Sequence, residues 1–191
     1  MGRIYVADAL RKQGIAVHAE DGWMTRGSST GFAPRGVALH HTAVRSSDAD
    51  PYPALEVCRN GRPDLNGPLC HLLVGRRGGI HMIATGRANH AGPIRASGPM
   101  PDGDGNSLYV GIEIDYHPDY QEVGLEQRRS ALIAAAVILH SLGQRSASYV
   151  RGHLEICDPP GRKIDPSNFR TSMDGARRSI QDAMNARGWG Y

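Results

Sequence analysis

The sequence predicts an α/β fold in which a central mixed β-sheet is flanked by helices. Three observations carry that expectation. Short apolar runs of strand length recur along the chain. Longer segments repeat apolar residues at helical spacing and end at glycine. The two kinds are interleaved as strand, helix, hairpin, strand, long helix, strand and helix, which is the order of a sheet covered by helices. A chain of 191 residues suits a single domain with one sizeable core.

Taken in order, residues 3–13 predict a short helix ending at Gly14, and the turn-rich "GSSTGFAPRG" (27–36) leads into a buried strand, "GVALHHTA" (36–43). Residues 1–34 are thus expected as a segment packed on, or leading into, a main domain of residues 35–191. "DPYPALEVCRNG" (50–61) predicts a short helix with Asp50 as its N-cap and Leu55 and Cys58 on one face. "LCHLLVGRRGGIHMIATG" (69–86) has the pattern of a hairpin, two apolar runs around "GRRGG". "SLYVGIEIDY" (107–116) predicts a strand with Tyr109, Gly111, Glu113 and Asp115 on one side.

The longest predicted helix covers 125–142. Its stripe is Leu125, Leu132, Ala135, Ala136, Leu139 and Leu142, and Gly143 closes it. "SYVRG" (148–152) predicts a strand. Residues 166–189 predict a last helix capped by Ser167, with Met173, Ala176, Ile180 and Met184 on its apolar face.

Composition narrows the function. A net charge of +3 permits contact with anionic polymers, but no Lys/Arg run suggests nucleic-acid binding. No stretch approaches the ~20 apolar residues of a membrane span, and "MGRIYVADALRKQG" lacks the pattern of a signal peptide. Three cysteines, Cys58, Cys70 and Cys157, are an odd number at unrelated spacings, so reduced thiols are expected.

The candidate chemistry lies with histidines at strand ends. His40 closes one apolar strand and His153 another, and Asp165 follows His153 across the Pro- and Gly-rich loop of "VRGHLEICDPPGRKIDPSNF" (150–169). Taken singly, each histidine could be a hydrogen-bonded structural residue, and Asp165 before Pro166 could make a turn or cap a helix. As a set, two imidazoles and a carboxylate suit Zn2+ with one open position. Metal coordination would also meet the cost of ordering that loop.

Five segments together resemble the zinc-dependent N-acetylmuramoyl-L-alanine amidases. They are "VALHHTA" (37–43), "GPLCHLLVGRRGGIHMIA" (67–84), "GRANHAG" (86–92), "NSLYVGIEID" (106–115) and "GHLEICDPPGRKIDP" (152–166). The superfamily includes phage lysozyme-type amidases, AmpD-type amidases and the animal peptidoglycan recognition proteins. The overall style is most similar to an endolysin of a phage infecting actinobacteria.

The resemblance implies that Zn2+ is held by His40, His153 and Asp165. It implies Glu113 as the general base and Lys163 as the stabiliser of the developing oxyanion. Asn89, His90, Asn106 and Cys70 are the substrate contacts it implies. Phage members carry a catalytic Tyr where this chain has Cys70, and Glu113 is read as the replacement. His41 and His71 are expected to be structural, since alternation turns them away from their neighbours, and His18, His81, His117 and His140 surface or structural.

The implied activity is hydrolysis of the amide between N-acetylmuramic acid and L-alanine, for phage-induced host lysis. The implied partner is peptidoglycan, both glycan strand and stem peptide, met by a monomer with no nucleic acid and no membrane insertion. The protein would be made in the host cytoplasm and act on the wall after release. Two rivals remain open here: a non-catalytic wall-binding module, and a cysteine-type hydrolase using Cys70.

Overall fold

The computed structural model describes residues 2–190. Six strands form one sheet: β1 (Val17–Ala19), β2 (Gly36–His41), β3 (Leu72–Val74), β4 (Ile80–Met82), β5 (Tyr109–Ile114) and β6 (Val150–Gly152). Their spatial order is β1-β4-β3-β5-β2-β6. The predicted hairpin β3/β4 is antiparallel and every other neighbouring pair is parallel, so the sheet is mixed as expected. Two-residue ladders pair Gly61–Arg62 with Leu65–Asn66 and Pro93–Ile94 with Gly103–Asp104.

Six helices accompany the sheet: α1 (Ala7–Arg11), α2 (Leu55–Asn60), α3 (Gly105–Leu108), α4 (Leu125–Ser141), α5 (His153–Ile156) and α6 (Met173–Asn185). Strand alternation sorts side chains to the two faces of the sheet. Val37, Leu39, Leu72, Val74, Val110, Ile112 and Ile114 join the main core with residues of α1, α4 and α6. Ala38, Tyr109 and Leu73 point the other way, into two smaller clusters with Ile156 and with Cys58. The larger face secures the sheet, and the smaller is left to carry polar groups.

Helix α4 is the centre of the main layer. Ala131, Ala134, Ala135 and Ala136 are fully buried, and their small side chains let the helix lie close against β2, β3 and β5. Gly143, just past its end, has φ +74°, a left-handed conformation that glycine adopts without a Cβ penalty. Leu125 departs from the predicted stripe. It is 66% exposed, because the first turn, with Glu126 and Arg129, faces solvent.

Other boundaries also differ from the expectation, with the first helix shortened to Ala7–Arg11 and the last ending at Asn185. Helix α6 begins at Met173, capped by Ser172, whose Oγ accepts from the Gly175 N–H at 3.1 Å, and not by Ser167. Asn168 and Arg170 have φ of 51° and 58°, which breaks helical geometry across the preceding turn. Its predicted face of Met173, Ala176, Ile180 and Met184 is buried. Helix α2 begins at Leu55 and is not capped by Asp50. The Ala54 N–H at its start donates instead to Asp115 Oδ2 at 3.1 Å. Residues 107–108 belong to α3, and β5 starts at Tyr109.

The N-terminal segment is part of the same body. Ile4, Val6, Ala7, Leu10, Ile15 and Phe32 sit in the main core, and β1 extends the sheet beside β4. Strand β1 escaped the sequence reading because three residues show no period.

Candidate metal centre

Parallel register brings two functional groups side by side. His40 on β2 pairs with Glu113 on β5, one rung before both strands end. Their side chains share the face of Ala38 and Gly111, away from the main core. Next to β2, β6 ends at Gly152 and α5 begins at His153. That start is held by Glu155, whose Oε2 accepts from the Gly152 N–H at 2.9 Å while its carboxylate pairs with Arg177 at 2.8 Å. The loop returns to the same point, where the Leu154 N–H donates to the Asp165 carbonyl at 2.8 Å.

Three groups far apart in sequence therefore converge. His40 Nδ1 lies 2.8 Å from Asp165 Oδ2 and 3.1 Å from His153 Nδ1, and His153 Nδ1 lies 3.1 Å from Asp165 Oδ2. All three residues are buried.

The outer nitrogens decide what stands at the centre. His153 Nε2 donates to the Ala91 carbonyl at 3.1 Å, since a carbonyl can only accept. His90 Nε2 likewise donates to the Tyr109 carbonyl at 3.2 Å, which leaves His90 Nδ1 to accept from His40 Nε2 at 3.0 Å. With Nε2 carrying the proton in each neutral ring, the Nδ1 atoms would present bare lone pairs to a carboxylate oxygen. Burial pushes His40 down to about 4, so its ring is neutral at physiological pH.

Three acceptors at this spacing cannot satisfy one another. A buried acceptor left unpaired costs about 1–3 kcal/mol. The arrangement calls for a cation, and two nitrogens with one carboxylate oxygen fit a zinc-type donor set, each imidazole oriented by its outer N–H.

Glu113 faces the same space. Its Oε2 is buried with no hydrogen-bond partner, and it has no ion pair among the described residues. Burial first, then the charges of Asp165 and Asp115, push its carboxyl well above the usual range, while Lys163 pulls it down. Lys163 lines the same cleft, of about 610 Å³, together with His40, His90, Glu113, His153 and Asp165. Arg162 braces the loop: its Nε donates to the Asp158 carbonyl at 2.9 Å and its Nη2 to the Ala91 and Pro93 carbonyls at 3.0 and 3.2 Å.

The other predicted residues separate into distinct places. His90 lines the cleft but spends both nitrogens on His40 and Tyr109. Asn89 lies off the cleft, accepting from Arg87 and donating to the Asn66 carbonyl. Asn106, expected at the substrate, is buried with its Oδ1 taken up by backbone N–H groups. Cys70, also expected there, is fully buried among Ala54, Cys58, Leu73 and Ile83, so no substrate group reaches it. His41, which also lines the cleft, accepts from the Ser167 N–H through Nδ1, and the buried His71 accepts from the Gly111 N–H.

The sequence reading missed Arg162, although it adjoins Lys163. It also missed the apolar rim of Val44, Val57 and Ile164, three exposed aliphatic side chains at the cleft. Exposed aliphatics look like any others in sequence until the fold gathers them.

A strand end, the start of a short helix and a late loop bring two imidazoles and a carboxylate together in an open cleft beside an unpaired glutamate, a donor set that could hold a metal ion. The chain belongs to the N-acetylmuramoyl-L-alanine amidase family, whose profile matches residues 30–168. Solved structures share the fold. An AmpD derivative has a TM-score of 0.59 at 18% identity, with 87% of this chain and 93% of that one covered. A mutant endolysin from Bacillus subtilis has a TM-score of 0.59 at 20% identity, covering 87% and 99%. AMPDH3 from Pseudomonas aeruginosa in complex with anhydromuramic pentapeptide has a TM-score of 0.50 at 22% identity, covering 70% and 55%. No curated protein matches the chain in sequence.

Proposed function

We propose that the chain hydrolyses the amide between N-acetylmuramic acid and L-alanine in peptidoglycan, with Zn2+ held by His40, His153 and Asp165. The observation that carries this reading is the convergence of three acceptor atoms beside the unpartnered Glu113 Oε2. Zinc bound there would supply Lewis-acid polarisation of the scissile carbonyl and make water acidic enough to act as a nucleophile at neutral pH.

Glu113 takes the proton from the attacking water and returns it to the departing L-alanine nitrogen, general acid–base work worth ~10²–10⁴-fold. The C–N bond breaks, the lactyl acyl group leaves as a carboxylate and the stem peptide as an amine. Lys163, on the same cleft wall, offers its ammonium to the negative charge that grows on the carbonyl oxygen. His90 keeps His40 oriented.

Family membership supports the peptidoglycan substrate, and the anhydromuramic pentapeptide bound by AMPDH3 supports a stem peptide in the cleft. We read the biological role as that of a phage endolysin, working as a monomer on the wall after release from the host cytoplasm. The cysteine-hydrolase rival has little support, since burial raises the Cys70 thiol well above its usual range and starves it of thiolate.

The test is digestion of purified peptidoglycan with identification of the new ends. Release of stem peptides with free L-alanine amino termini, abolished by a chelator and restored by zinc, is the expected result. Binding without new termini would leave only a wall-binding module, and chelator-resistant cleavage would remove the metal.

A further inference from the structure

We propose that Asn106 is a positioning residue for the metal centre, setting the outer hydrogen-bond acceptors of both ligand histidines through one turn of backbone. The inference rests on the zinc reading above and adds a residue to it.

The Asn106 Oδ1 atom accepts from three successive backbone N–H groups, those of His90, Ala91 and Gly92, at 2.8, 2.7 and 3.1 Å. A lone carboxamide oxygen holding three consecutive amides curls residues 90–92 around itself. That curl fixes two other atoms. His90 Nδ1 takes the Nε2–H of His40, and the Ala91 carbonyl takes the Nε2–H of His153. Each of those bonds selects the tautomer and aim of one imidazole.

Asn106 is itself well anchored. Its N–H is capped by Asp104 Oδ1 at 3.2 Å, and Asp104 Oδ2 is held by Ser107 and Arg87. The Gly105 N–H returns a bond to the Gly92 carbonyl at 2.8 Å, so the two segments are joined from both sides. Asn106 is 8% exposed, and its hydrogen bonds go to residues 90–92 and Asp104 and not to His40, His153 or Asp165. Whatever it does for the centre, it does through residues 90 and 91.

The experiment compares Zn2+ affinity of the metal-free protein, by competition with a chromophoric chelator, in wild type, N106A and N106D. N106D keeps an oxygen for the three amides, while N106A removes it. Loss of outer-shell order typically weakens metal binding on the order of 10–100-fold. N106A is expected to fall in that range and N106D to stay within a few-fold of wild type. A core variant remote from the site, I180V or I180A, chosen to match the drop in melting temperature of N106A, should bind zinc as wild type does. Should N106A not fold, the same comparison is made with N106S, whose shorter side chain withdraws the oxygen from the amides.

Zinc binding by N106A equal to wild type would overturn the proposal, as would a loss no greater than that of the matched core variant. A wild-type protein that binds no zinc would overturn the metal reading and this inference with it. Tight wild-type binding with an indifferent Asn106 would overturn this inference alone.

Discussion

His40 and Glu113 stand directly opposite each other across the parallel β2–β5 ladder, on its penultimate rung. A candidate ligand and the candidate base are thus fixed by main-chain hydrogen bonds, independent of any loop. Changing one side chain leaves the other where it is, and this separates their roles experimentally.

Glu113→Gln keeps the size and the strand and removes the proton acceptor. Zinc content should stay stoichiometric, while turnover on peptidoglycan falls by ~10²–10⁴-fold. Metal analysis beside a stem-peptide release assay checks both halves, and near-wild-type turnover would take Glu113 out of the mechanism.

His153→Ala removes a candidate ligand and leaves the Ala91 carbonyl with Arg162 as its side-chain donor. Zinc retention and activity should be lost together. A variant that still holds one zinc per chain would show that the ligand set is wrong.

Gly111→Ala tests the support behind His40. A Cβ at residue 111 would lie 2.6 Å from His90 Cγ and 2.7 Å from its Nδ1, and the ring is pinned through both nitrogens. The ring must shift and drop the His40 bond. Zinc affinity should weaken on the order of 10–100-fold. Unchanged affinity would mean that His90 does not orient His40.

Asp115→Asn tests a buried carboxylate beside the site. Burial raises the Asp115 carboxyl to about 6, although Thr42 Oγ1 and the Ala54 N–H both donate to it. A raised folded pKa stabilises the protein below the unfolded value, and that advantage disappears as pH rises through the folded value. Measured against D115N, the wild type should be at its most stable near pH 4 and lose up to about 3 kcal/mol by pH 7. Urea melts of both proteins across that range decide it, and a flat difference would contradict the shift.

Cys70→Ala should leave activity within a few-fold, at a modest cost in stability from the small cavity created in its cluster. Loss of turnover without loss of zinc would revive the thiol as a participant.

Much of the site could be read from the sequence because it lies on regular strands. His40 and Glu113 nearly end apolar strands, and period-two alternation puts them on one face, whereas His153, read as a strand end, opens a helix one residue past it. Asp165 was legible through motif order, since nothing local distinguishes it from a turn residue before proline. What stayed hidden depends on loops folding against each other. Asn106 looks like a polar residue ahead of a strand, yet its oxygen is used up by amides 90–92. Cys70 precedes a strand, where a substrate contact is plausible by analogy, but the helix carrying Cys58 covers it. The start of α6 was misplaced because Ser167 and Ser172 are equal as caps in sequence, and only the left-handed residues between them choose the second.

The distance along the chain between His40 and Asp165 is 125 residues, and all three cysteines are free. An ion gripping both ends would tie an inner strand to a late loop much as a covalent staple closes a long ring, with the difference that it can be withdrawn. Resistance to heat and to proteases would then follow the supply of metal, and a chelating environment would loosen the loop between His153 and Asp165 before it touched the helix-covered face.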